Sequence, residues 1–207
     1  MHARLALALL SAVLAAAPLA AQYRNTPTLS VEASGVYAGV PTRVFPGLGD
    51  GRGAEAQVTL GIGNFAISGG VSRTFHDVGG AATLPIPGTT PDIGAHITTF
   101  FVEPRLALPL GVSNFTPYLY GRAGQSRLQY TTDGDEIGQR TNALQLGGGI
   151  GTIVEVTKGI ALNLGGGYQW HRAGSTFSDG SKPSGGGYMV RAGLLIGGTR
   201  WARDPGF

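Results

Sequence analysis

The sequence predicts an all-β fold, in which eight antiparallel strands form an up-and-down meander and close into a transmembrane β-barrel. Three observations lead to this prediction. From residue 28 onward, segments of about ten residues alternate apolar side chains with small or polar ones, which places each kind on its own face of a strand. The breaks between segments alternate between long and short. Glycine supplies 36 of the 207 residues, and it permits the tight curvature of a small barrel.

The N-terminal segment, residues 1–21, is expected to be a secretory signal peptide that is cleaved. A weakly positive start precedes a continuous apolar run at 5–17, and small residues precede Gln22, an order typical of a signal and its cleavage site. A retained transmembrane anchor is the alternative, but the apolar run is short for a span and no stop signal flanks it. Residues 22–207 are then expected to form the single barrel domain.

Each strand is predicted from a stretch of alternation that turn residues bound. In the third strand, Phe65, Ile67, Val71 and Phe75 share one face, while small polar residues share the other. The eight predicted strands are 28–38, 53–62, 64–76, 95–108, 117–130, 142–156, 159–170 and 187–198.

The connections between these strands predict which end of the barrel faces outward. The long connections are 39–52, 77–94, 131–141 and 171–186, and the short ones are 61–64, 109–116 and 157–159. Outer-membrane barrels have long extracellular loops and short periplasmic turns. Eight strands with an N-terminus on the periplasmic side give this order directly.

The two strand faces predict a lipid-facing exterior and an ionic interior. Along each strand, apolar residues occupy the alternate positions that would face outward, which we call the outward parity. Most charged strand residues occupy the positions between them, and Glu and Arg are mixed there. An eight-stranded barrel is only wide enough for its own side chains, and an unpaired charge there is costly. Mixed signs therefore predict a structural plug and not an open channel. The predicted lumen charge cluster comprises Glu32, Glu55, Glu103, Arg105, Arg122, Glu155 and Arg191.

Three patches of residues resemble a known family. They are FVEPRLAL at 101–108, TPYLYGRAG at 116–124 and LQLGGGIG at 144–151, and they resemble the small outer-membrane β-barrel family of the OmpA/OmpX type. The resemblance implies a cell outer-membrane location, insertion by the outer-membrane assembly machinery, and a structural, adhesive or surface-interaction role without catalysis. The expected partners are outer-membrane lipid, lipopolysaccharide and an extracellular partner bound through the loops.

Two features depart from that family's pattern. The family's last strand usually ends in an aromatic residue that the assembly machinery reads, and Trp201 or Phe207 could take that part, although charges and a proline interrupt the alternation before Phe207. Pro104 lies inside a predicted strand. Because proline cannot donate to a ladder and a closed barrel has no free edge, Pro104 is expected to mark a bulge.

The sequence contains no pattern that predicts a cofactor, a metal centre or nucleic-acid binding. There are no cysteines, and His76, His96 and His171 are far apart in the chain. The glycine strings lack the spacing of a dinucleotide-binding loop, and the acidic stretch 133–136 lacks the later ligands of a calcium loop. The net charge of +3 comes from scattered residues and forms no basic cluster.

Two other classes of function stay open at this point. A soluble secreted barrel of lipocalin type would turn the apolar face inward around a ligand. A lipid A-modifying enzyme is the second alternative, since outer-membrane deacylases carry a His and a Ser on the lipid-facing surface. Here His96 and Thr98 share the outward parity, but Thr98 is a poor nucleophile and no carboxylate on that face orients His96.

Overall fold

A computed structural model describes residues 27–41, 43–45, 47–78, 93–108, 110, 114–132, 135–174 and 182–198. The expected signal peptide at 1–21 lies outside the described residues, as do Trp201 and Phe207 at the C-terminus. Within the part of the chain that the structure describes, no helix has the length and apolarity needed to cross a membrane.

The structure confirms the predicted fold class: eight antiparallel strands form one closed barrel with meander topology. Each strand pairs with the next in sequence, and β1 pairs with β8 to close the sheet, so Val31 lies between Val58 and Ile196. The strands are β1 Thr28–Ala38, β2 Leu48–Ile62, β3 Phe65–Val78, β4 Ile93–Ala107, β5 Phe115–Thr132, β6 Asp135–Thr157, β7 Ile160–Ala173 and β8 Ser184–Gly197.

The strands reach further toward the loop side than the alternation predicts. β2 begins at Leu48 instead of residue 53, and the predicted loop at 131–141 is wrong, because β5 and β6 continue through it and Thr132 pairs with Asp135. Successive residues are exposed in these extensions, Gly49 and Asp50 in β2 and Asp135 and Glu136 in β6, so no hydrophobic period marks the pairing there. The two tightest predicted turns do form, with Gly63 and Gly159 in the left-handed region at φ 59° and 82°.

The bulge expected at Pro104 is absent. Val102 pairs with Ala123 and Arg105 pairs with Tyr120, three residues further along both strands, so no extra residue enters β4 there. On its other side Pro104 stays in register with Ile67. Because Pro104 has no N–H to donate, the pairing between β4 and β5 is interrupted at this point, but the register of the two strands does not shift.

Burial alternates along the strands, and the polar face is the buried one. β1 is strictly alternating, with Ser30, Glu32 and Ser34 buried and Leu29 and Val31 exposed. This arrangement contradicts the lipocalin-type alternative, which needs an apolar interior. Large apolar side chains are exposed all round the barrel, among them Val58, Leu60, Phe100, Val102, Leu119, Leu146, Ile150, Leu164, Val190 and Ile196. We call this surface the apolar belt.

Candidate functional site in the barrel lumen

Six of the seven predicted cluster residues meet inside the barrel. Their side chains share the inward parity of β1, β2, β4, β5 and β8, and none is more than 3% exposed. The six are Glu32, Glu55, Glu103, Arg105, Arg122 and Arg191. Three carboxylates therefore face three guanidinium groups, and we call this set the lumen charge network.

Glu103 is the centre of the lumen charge network. Its Oε1 accepts hydrogen bonds from Arg105 Nε at 2.8 Å and from an Nη atom of Arg191. Its Oε2 accepts from Arg122 Nε at 2.7 Å and from the other Nη atom of Arg191 at 2.9 Å. One carboxylate thus holds all three cations, and both of its oxygens carry two charge-assisted bonds.

The other two carboxylates complete the pairing. Arg122 binds Glu55 through both Nη atoms, at 2.7 and 2.9 Å, and Arg191 reaches Glu55 at 3.1 Å. Arg105 donates twice to Glu32 at 3.2 Å. Such multiple bonding offsets the large cost of taking charges out of water.

Neutral polar groups tie the network to the half of the lumen nearer the short turns. Ser34 Oγ and Asn163 Nδ2 donate to Glu32 at 2.8 and 2.7 Å, and the Tyr118 hydroxyl donates to Asn163 Oδ1 at 2.7 Å. An Nη atom of Arg191 also donates to the Tyr118 hydroxyl, at 3.2 Å. The charges are therefore embedded in further hydrogen bonds and are not isolated pairs.

Aromatic rings cover the flat faces of the three guanidinium groups. The Arg122 guanidinium carbon lies 3.7 Å from the centroid of Phe101, and that of Arg105 lies 5.2 Å from Tyr118. Arg191 lies over Tyr120 at 4.8 Å. Stacking of this kind stabilises a desolvated cation and packs the remaining space.

The structure does not bring Glu155, the seventh predicted residue, to the network. Glu155 is half-buried near the C-terminal end of β6 and pairs with Ala161 of β7. Gly149, which is in register with Tyr120 and through it with Arg105, lies six residues away along β6, or about 20 Å at the usual rise. Strand parity indicates which face of the sheet Glu155 lies on but carries no information on its height along the barrel axis. Without Glu155, the lumen charge network contains three Glu and three Arg.

Sequence reasoning missed an apolar cap over the loop-side mouth of the barrel. Between β1 and β2, Val44 and Phe45 are fully buried and pack with Leu48. A turn holds them there, because the Pro41 carbonyl accepts from both backbone N–H groups, of Val44 and Phe45, at 3.0 Å. The barrel residues in contact with this cap are Ala95, Ile97, Leu128, Ala143 and Ala173. The apolar run Val44-Phe45 inside a Gly/Pro-rich loop was the available signal.

Between the cap and the charge network lies a thin polar layer. A cavity of about 20 Å³ is bounded there by Gln145, Gln169, His171 and Met189, among others. Gln145 donates to Gln169, and His171 lies under the Phe45 ring at 5.5 Å between centroids. A space of this size holds about one water molecule.

The three histidines singled out in the sequence do not converge. His76 is inward on β3 and contacts Thr74 Oγ1 at 2.8 Å, His96 is outward on β4 beside the Phe75 ring, and His171 belongs to the polar layer under the cap. Among the described residues no group of three His, Asp or Glu side chains is placed to hold a metal ion.

These features define the class of the protein. In a closed eight-stranded barrel that exposes an apolar belt and buries its ionic side chains, each strand pairs with two neighbours and no sheet edge is left open, which is the requirement for spanning lipid with strands. It is a small integral β-barrel of the outer-membrane type, with an OmpA/OmpX-like fold, and it resides in the outer membrane.

Comparison with solved structures agrees with this class. Neisserial surface protein A is 16% identical and aligns over 84% of this chain and 99% of its own, with a TM-score of 0.53. A major outer membrane protein from Thermus thermophilus is also 16% identical and aligns over 84% of this chain and 100% of its own, with a TM-score of 0.52. At this identity the likeness shows the fold. No protein-family model and no curated protein matches the sequence.

Proposed function

We propose that this protein is a sealed structural barrel that performs no reaction and presents its loop side to extracellular partners. The lumen charge network carries the proposal. Three arginines and three glutamates interlock across the barrel, and the apolar cap closes the mouth above them. A lumen of eight strands is only wide enough to be filled by such side chains, so the observation supports a structural role for the interior.

Conductance across planar bilayers tests whether the barrel is sealed. The expected result is no steady current from the reconstituted full chain. A variant in which residues 40–47 are replaced by a short turn removes Val44 and Phe45 but leaves the charge network, and it should also stay closed. A steady porin-like current from the wild-type protein would contradict the proposal. A current from the shortened variant alone would mean that the cap, and not the charge network, seals the barrel.

The absence of catalysis has its own test on lipid A. His96 is the candidate general base of the enzyme alternative, yet it is only 8% exposed and packs beside Phe75. Lipid A extracted from expressing cells should keep all its acyl chains by mass spectrometry. Loss of an acyl chain that His96→Ala restores would establish the enzyme instead.

The lengths of β5 and β6 support a role on the cell surface. A strand needs about 9–11 residues to span the hydrocarbon, whereas β5 has 18 and β6 has 23. The excess lies on the loop side, so the β5–β6 hairpin projects beyond the membrane. Replacing residues 130–137 with a two-residue turn should leave the barrel folded and abolish surface cross-links made through the hairpin. Unchanged cross-linking would assign the contact to another loop.

A further inference from the structure

The outer face of the barrel changes from apolar to basic within two residues. Val71 on β3 pairs with Phe100 on β4, and both side chains are exposed in the apolar belt. Two residues nearer the loops, Arg73 pairs with Thr98, and Thr98 pairs with Arg127 on β5. Because alternate residues share a face, Arg73, Thr98 and Arg127 form one outward row at the upper edge of the belt. We call it the outer basic row.

The two arginines of this row have no carboxylate partner among the described residues. The guanidinium group of Arg73 lies 5.4 Å from the centroid of Phe75, and Arg127 Nε donates to Asn142 Oδ1 at 3.4 Å. With neighbouring strands about 4.8 Å apart, the two Cα atoms are about 10 Å apart across Thr98. At this separation, the two long arginine side chains can both reach one small anion bound between them.

A surface cavity of about 210 Å³ lies at this row, lined by both arginines together with His96 and Phe100. That volume is many times the ~10–15 Å³ of cavity space that one water molecule needs. Glu136 also lines it, but Arg140 already binds Glu136 at 3.1 Å and donates to Gln129 at 3.0 Å. The cavity therefore presents two uncompensated cations above an apolar wall.

We propose that the outer basic row binds the phosphate of a phosphorylated lipid in the outer leaflet. Arg73 and Arg127 donate to the phosphate oxygens, and the acyl chains lie on Val71 and Phe100. The planar guanidinium fork matches phosphate geometry. The belt occupies hydrocarbon, so lipid phosphates lie at the level just beyond it, which is the level of the row. The apolar wall beneath the arginines favours a lipid, whose acyl chains contact it, over a free phosphate ion, which would make no contact with it.

The test uses the full chain in detergent micelles and three probes: bisphosphorylated lipid A, the same lipid with its phosphates removed, and inorganic phosphate. Dissociation constants are measured by thermophoresis. We expect the phosphorylated lipid to bind at least about tenfold more tightly than either other probe. Arg73→Gln/Arg127→Gln should weaken its binding at least about tenfold, and salt should weaken wild-type binding because the contacts are exposed ion pairs. Each single variant is measured as well.

The matched control is Arg43→Gln/Lys158→Gln, which removes the same net charge from two exposed residues outside the row. It should bind within about twofold of wild type. All variants must first show the heat-dependent gel mobility of a folded barrel. Equal affinity for the dephosphorylated lipid, equal affinity for inorganic phosphate, or equal loss in the control would each overturn the proposal. The outcome is independent of bilayer conductance, so this site and the sealed lumen can fail separately.

Discussion

Replacing Glu103 by Gln should destabilise the barrel strongly, because this carboxylate holds three cations. Whichever oxygen becomes the amide nitrogen, two guanidinium donors then face another donor, so two charge-assisted bonds are lost: either those from Arg105 and Arg191 or those from Arg122 and Arg191. At 1.5–3 kcal/mol for each bond to a charged group, the loss is about 3–6 kcal/mol. Breaking a buried ion pair on one side costs a similar amount.

The assay is urea unfolding of the reconstituted protein, followed by tryptophan fluorescence and by gel mobility of unboiled samples. Glu136→Gln is the control, since Glu136 is exposed and its ion pair with Arg140 lies at the surface, and it should change stability by less than about 1 kcal/mol. Glu103→Gln/Arg191→Gln restores equal numbers of opposite charges and should recover part of the loss. If Glu103→Gln unfolds within about 1 kcal/mol of wild type, ion pairing is not what stabilises the lumen.

Three further substitutions examine the cap, the belt and the crowding of the sheet. Phe45→Ala leaves a cavity under the cap because Phe45 is 0% exposed, and it should lower the free energy of unfolding by about 3–5 kcal/mol; an unchanged urea midpoint would place the ring outside the core. Val102→Arg puts a charge in the middle of the belt and should cost about 2–4 kcal/mol, against about 0–1 for Leu108→Arg near its edge; equal losses in vesicles would contradict the membrane position. Gly149→Ala drives a methyl group into the backbone of β7, while nothing lies near the corresponding methyl of Gly69, so only the first should destabilise, by about 1–3 kcal/mol in the same assay.

The fold could be predicted because lipid imposes a strict period on the strands. Residues such as Val58 and Leu60 must contact acyl chains, and Gln57 and Thr59, which alternate with them, must point inward. A one-residue slip would reverse both faces, so the pattern also restricts the register of each strand. The signal ends with the belt, which is why the start of β2 and the long β5–β6 hairpin were missed. Gly49 and Asp50 of β2, and Asp135 and Glu136 of β6, are exposed in succession, so no alternation marks the strands there.

Strand parity indicates which charged residues face the lumen but carries no information on their contacts. Parity assigned Glu32, Glu103 and Arg191 to the interior. Their mixed signs then predicted ion pairs there, because buried charges must be paired. Parity could not distinguish Glu155, which has the same parity but lies about 20 Å further along its strand. The burial of Phe45 depends on a chain reversal at Pro41 that brings a loop back over the mouth, and strand periodicity does not describe loops.

By itself, the sequence determined that this protein is a barrel with an apolar exterior and a polar interior. Alternation with a period of two specifies which side chains contact lipid and which contact each other. That information is local to each strand. Only the tertiary structure decided which charges pair, since Glu32 and Arg105 are 73 residues apart in sequence and meet across the lumen. Closure of the sheet between β1 and β8 sets those distances. Local patterns therefore specify faces, whereas the height and partners of each side chain depend on the register of the whole barrel.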